Sequence, residues 1–258
     1  MKIRVWTALA CSVLLESIRR KDLWVVAILG FLIVASAGAL GMFGLEGLES
    51  FAKDLATTVV GAFSTILACL ISCRILPDEV RNRTLYPLIA RPISRWDLMV
   101  GKLVGAIWTT WIAFGMLCVL TGLSLVMFNV HFEWIMLQYV LCKALGLALI
   151  CSLGLTLSVY MTPSAAATMC CILAFASPML VRALTMAYDA SNASLKPLFQ
   201  ALNLLLPQVG LFDLGSRAAN SGWAPVPIWV VGSLFAYAVL YSLGSVLLGW
   251  LKFRNQAV

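Results

Sequence analysis

The sequence predicts an all-α integral membrane protein with six transmembrane helices, and three observations carry that expectation. Hydrophobic residues make up 62% and charged residues 11% of the 258 positions, against roughly 45–50% and about 25% in soluble domains. Mean hydropathy is +0.98, so lipid rather than water is expected to solvate much of the outer surface. Apolar stretches of about 20 residues, the length needed to cross about 30 Å of hydrocarbon, recur six times. In lipid only a helix or a closed barrel satisfies its own backbone, and runs of this length are helical ones.

Taken in order, Lys2 and Arg4 precede an apolar run from Val5 to Leu15 that is too short to be a signal peptide and is followed at once by Glu16, Arg19, Arg20, Lys21 and Asp22. Residues 1–22 are expected to form an amphipathic interfacial helix, with Val5, Trp6, Leu9, Val13 and Ile18 near one face. The spans are expected near Leu23–Phe43, Leu55–Leu76, Leu103–Phe128, Ile135–Tyr160, Ala165–Leu184 and Ile228–Trp250. Pro163 and Pro178 bracket the fifth, which predicts a kinked or short helix there. The connection 185–227 contains apolar runs such as Leu204-Leu205-Leu206 and Val209-Gly210-Leu211-Phe212, too short to span, so a half-buried segment is expected in it. No gap can hold a separate soluble core, and 1–258 reads as a single transmembrane domain.

Basic residues set the orientation, because loops rich in Lys and Arg stay in the cytoplasm. With both termini inside, Lys2, Arg4, Arg19, Arg20 and Lys21, then Arg74, Arg81, Arg83, Arg91, Arg95 and Lys102, then Lys252 and Arg254 are cytoplasmic. That is thirteen of the 18 Lys and Arg. The net charge of +7 is thereby accounted for by topology, and no nucleic-acid partner is expected.

Catalytic material is scarce. His131 is the only histidine and stands in a short connection, so triad or histidine-metal chemistry has no constellation to use. Gly101-Lys102 lacks the glycine spacing of a phosphate-cradling loop, so no ATP site is expected in this chain. Seven of the eight cysteines lie in apolar runs, where a thiol is a packing residue. Cys69 and Cys73, four apart on one helix face, also admit a soft-metal role. No catalytic, cofactor or metal residue is assigned. Two charges stand out beside spans: Lys143, one to two turns into the fourth, and Arg182, at the outer end of the fifth. For Lys143 the alternatives are contact with a translocated anion, an ion pair with Glu133 or Asp54, or snorkelling to the interface.

The connection 77–102 is charged, amphipathic and punctuated by Pro77, Pro87 and Pro92. Val80, Leu85, Leu88 and Ile89 share one face of a short helix, and Ser94 with Asp97 three residues on resembles a helix start. Resting on anionic lipid would explain such a segment. Within it, Glu79, Thr84-Leu85, Leu88, Arg91-Pro92-Ile93-Ser94-Arg95 and Gly101-Lys102 resemble the Glu…Gly-Thr-Leu…Leu-Leu-x-x-Pro-hydrophobic-Ser-Arg…Gly-Lys signature of ABC transporter permeases of the type-2 export family. Arg83 departs from it, standing where the family usually has glycine.

The resemblance implies a permease half of an ATP-driven exporter in a bacterial cytoplasmic (inner) membrane. Residues 77–102 would be a cytoplasmic coupling loop whose coupling helix seats on a separate ATPase. Glu79, Arg81, Arg83, Thr84, Leu85, Leu88, Arg91, Pro92, Ser94 and Arg95 are the coupling residues it implies. The expected partners are two ATPase copies, which would carry the ATP and Mg, a second permease copy in a homodimer, and an extracytoplasmic protein. Relatives handle lipids, peptides, polysaccharides, drugs, and metal or sulfur species for maturing metalloenzymes; the cysteines and ten methionines lean toward the last. A secondary transporter or channel working without an ATPase is the competing expectation. It calls for paired intramembrane acids or broken helices, which the sequence does not display.

Overall fold

The computed structural model describes residues 2–19, 24, 28, 30, 48–81, 95–127, 134–190, 196–219 and 225–254. Among them all regular structure is helical: α1 (Lys2–Arg19), α2 (Leu48–Arg81), α3 (Arg95–Met127), α4 (Trp134–Tyr160), α5 (Pro163–Ala190), α6 (Lys196–Leu205), a 3-10 turn (Val209–Phe212), α7 (Gly215–Ala219) and α8 (Ile228–Arg254). Five of these, α2, α3, α4, α5 and α8, contain segments long and apolar enough to cross a membrane. The first predicted span, Leu23–Phe43, lies outside the described residues apart from Trp24, Ile28 and Gly30.

The long helices follow from their sequences. Each apolar run satisfies its backbone internally, and few Gly or Pro interrupt it. At 34 and 33 residues, α2 and α3 are about 50 Å long, well beyond a hydrocarbon core of about 30 Å. Helix α3 has Asp97 in its first turn and α8 has Lys252 and Arg254 in its last, each charge opposing the helix dipole there. Pro163 opens α5, where a missing N–H costs nothing. Of the two alternatives expected there, a kinked or a short helix, the short one does not hold: α5 runs 28 residues through Pro178.

Helix α4 is the hub, packing on α2, α3, α5 and α8. One buried cluster joins Cys69 and Cys73 of α2, Phe114 and Leu117 of α3, Leu147 and Ile150 of α4 and Cys170 of α5. Hydroxyls stitch α4 to α8: Thr156 Oγ1 donates to the Ser245 carbonyl at 2.9 Å, and Ser245 Oγ to Ser152 Oγ at 3.0 Å. Such bonds replace the hydrophobic drive that is absent between helices in lipid.

The boundaries sharpen the expected loops. Helix α2 continues through Pro77 to Arg81 and α3 begins at Arg95, so only 82–94 separates them. The interfacial helix, expected over 1–22, is helical over Lys2–Arg19. Of the residues placed on its apolar face, Leu9 and Val13 are buried by protein, whereas Ile18 is exposed.

Candidate functional site

The bundle has two ends of different character. At the first, α1 lies along the start of α3. A Cβ on Gly101 would sit 2.7 Å from Leu9 Cδ1, and one on Gly105 would sit 2.9 Å from Val13 Cβ. This pair, four residues apart, forms a flat track on which α1 rides, the small-residue device for close helix approach. Trp6 Nε1 donates to Asp97 Oδ1 at 3.1 Å and Lys102 Nζ to Ser12 Oγ at 3.4 Å. Lys102 is only 1% exposed, so the charge counted in the sequence as a loop cation is part of the helix junction. The end of α8 closes the same region, with Trp250 edge-on to Trp96 at 5.6 Å and Gly249 against Met99.

Three of the predicted coupling residues fall among the described residues. Glu79 and Arg81 stand in the last turn of α2, and Arg95 is the first residue of α3. Arg83, Thr84, Leu85, Leu88, Arg91, Pro92 and Ser94 lie outside the described residues.

The opposite end is closed by the stretch between α6 and α7. Lys143, reaching out of α4, bonds Asp213 with Nζ to Oδ2 at 3.1 Å, with side chains 10% and 51% exposed. Its partner is therefore Asp213, not the anticipated Asp54, which is exposed; Glu133 lies outside the described residues. Asp213 Oδ1 also accepts the Gly215 N–H at 3.0 Å, which holds the carboxylate in place. Phe212, 1% exposed, fits against Gly146 of α4 with no room for a side chain between them. Tyr139 donates to the Thr57 carbonyl at 2.7 Å and ties α4 to α2 beneath the ion pair. Gln138 makes two bonds to Val226, donating to its carbonyl at 2.9 Å and accepting its N–H at 2.8 Å. The half-buried segment expected in 185–227 is thus a set of short elements, with Val209 and Phe212 in the main core. Arg182 is exposed on α5 and takes no part.

Sequence reasoning singled out Lys143 and missed Asp213, Tyr139 and Gln138. Asp213 did leave a signal, as a lone acid inside the apolar run Leu211-Phe212-Asp213-Leu214. Among the described residues no group of three His, Cys, Asp or Glu is arranged to hold a metal ion. Cys73 Sγ instead donates to the Gly154 carbonyl at 3.4 Å, a packing contact between α2 and α4.

A search of the curated proteins returned no match. The family model described as ABC-2 family transporter protein matches residues 9–258, a range that takes in α1 from Leu9 onward, every predicted span and the whole 77–102 connection. With several apolar helices of membrane-crossing length joined to that match, the chain belongs to the ABC-2 transporter family as a multi-pass membrane permease.

Proposed function

We propose that this permease is the membrane half of an ATP-driven exporter whose ATP is hydrolysed by a separate cytoplasmic ATPase seated on the connection between α2 and α3. The observation that carries the reading is the family match over 9–258. The arrangement of the first end supports it. The α2–α3 connection leaves the bundle where α1, the start of α3 and the end of α8 are bonded together. A push on that connection therefore meets a braced junction rather than a single loose helix, and rigid packed elements transmit displacement as a unit. In this reading both termini and residues 82–94 are cytoplasmic, and the chain works as a homodimer with two ATPase copies in a bacterial inner membrane. It holds no ATP site of its own.

Charge reversal at Glu79 tests it. On lipid alone, Glu79→Lys would strengthen attachment by about 1 kcal/mol near an anionic surface. On a protein partner it introduces an unpaired or like charge and costs roughly 2–5 kcal/mol of binding. Affinity capture of the ATPase by wild-type and Glu79→Lys chains at matched expression reads the sign. Loss of capture is expected, and equal capture together with equal transport removes the coupling role of Glu79.

A further inference from the structure

Helices α5 and α8 both pack on α4 and leave an apolar groove between them. Leu153 and Leu157 of α4 form its floor, Leu173 of α5 one wall, and Leu240, Gly244 and Leu248 of α8 the other, around a volume of about 740 Å³. That size falls within the roughly 300–1,000 Å³ of small-molecule sites. Leu240 and Leu248 are 71% and 58% exposed along it, and all three helices are of membrane-crossing length, so the groove opens sideways at the depth of the hydrocarbon. The α8 row Leu240, Gly244, Leu248 has the spacing of four that keeps residues on one helix face, and its next member is Lys252. On α4 the row Leu153, Leu157 ends in Tyr160. The two row ends meet: Tyr160 Oη donates to the Leu248 carbonyl at 3.1 Å, and Lys252 Nζ lies 6.0 Å from the centre of the Tyr160 ring.

We propose that this groove is a binding site for one anionic phospholipid, with an acyl chain lying between α5 and α8 and the phosphate at Lys252. An empty groove forfeits dispersion contacts along its walls, and a flexible hydrocarbon chain restores them. The charged end is what distinguishes a bound lipid from the surrounding bilayer. Residues 153–163 and 244–254, the stretches that meet at this mouth, contain no Asp or Glu, so neither stretch supplies Lys252 with a carboxylate. Tyr160 and Trp250 mark the level of the headgroups there, where aromatic rings with a polar edge collect. A basic site between helices at that level recognises an anionic headgroup. An apolar helix from a second copy would cover the walls but would bring Lys252 no counter-ion. The lipid is a resident and not cargo: it bridges α5 and α8 within one chain and steadies their shared seat on α4. The site stands apart from the permease reading, which supplies only the leaflet, the cytoplasmic one.

The test uses the full-length chain in phosphatidylcholine nanodiscs containing a trace of phosphatidylglycerol with a diazirine midway along one acyl chain. After irradiation, peptide mass spectrometry maps the labelled residues. Labelling concentrated in 153–157 and 240–248 is expected, displaced by unlabelled phosphatidylglycerol and not by further phosphatidylcholine. A Cβ on Gly244 meets nothing within 4 Å among the described residues, so Gly244→Phe fills the groove without disturbing the helix packing and should abolish that labelling. Gly232→Phe, on the same helix outside the groove and equally without a neighbour within 4 Å among the described residues, should leave it unchanged. Lys252→Gln should lower the preference for phosphatidylglycerol over phosphatidylcholine about 5-fold, and Lys252→Arg should keep it. Labelling spread evenly over the lipid-facing helices, or unchanged in Gly244→Phe, overturns the site, as does full preference retained in Lys252→Gln. Disulfide formation between two copies carrying Leu240→Cys in an otherwise cysteine-free chain, with the groove unlabelled, assigns it to a second copy and overturns the lipid. Failure of any ATPase to associate contradicts the permease reading and leaves each of these results standing.

Discussion

Lys143 shows how far single residues could be read. A lysine well inside an apolar run has to be paired, hydrated or snorkelled, so the sequence marked the position. The choice among these depended on a residue 70 positions away. Asp213 sits beyond the rest of α4 and the whole of α5, and nothing in local spacing links it to α4. The pairing gives a stability prediction: Asp213→Ala, which leaves the buried ammonium without this partner, should cost about 1–3 kcal/mol. The double change Lys143→Met with Asp213→Leu should cost less than the single one, because no charge is then left buried. Thermal unfolding of the detergent-solubilised variants measures both, and a double variant less stable than Asp213→Ala contradicts the pairing. Tyr139 and Gln138 were illegible for a related reason, since each reaches a backbone group, Thr57 or Val226, and backbone partners leave no trace in residue identity.

At the scale of elements, five apolar runs read as spans became helices, while their ends and faces moved. The third span was expected from Leu103, where hydropathy rises, but α3 starts at Arg95. The apolar helix extends back to Trp96, and Asp97 and Lys102, which interrupt its first turns, are bonded to α1 rather than left to lipid. The same fact redirected α1: an apolar stripe at helical spacing shows that a face is buried without saying whether protein or membrane buries it. Here Gly101 and Gly105 decide, since only a bare backbone admits Leu9 and Val13 so closely. Gly105→Leu should therefore lift α1 from its track, with an overpacking cost of about 1–3 kcal/mol. Limited trypsin cleavage after Arg19 should accelerate. Gly115→Leu on the same helix, where a side chain meets nothing within 4 Å among the described residues, should leave cleavage unchanged. Equal rates in the two variants would show that α1 is not held by this contact.

For the whole molecule, composition alone disclosed the membrane, and the distribution of positive charge predicts an orientation that accessibility can check. A cysteine placed at Ala90 in a cysteine-free chain should resist a membrane-impermeant thiol reagent added from outside and react once the membrane is opened. Labelling from outside would invert the topology. In the ATP-driven reading force enters beside α1, and the energy comes from another chain. The most direct measurement is ATP turnover by the purified permease alone and with its ATPase, wild-type and Leu85→Pro. A permease without its own phosphate-binding loop shows no turnover alone, coupled turnover with the partner, and loss of coupling in Leu85→Pro with the bundle still folded. Sustained turnover by the permease alone, free of contaminating ATPase, would contradict it.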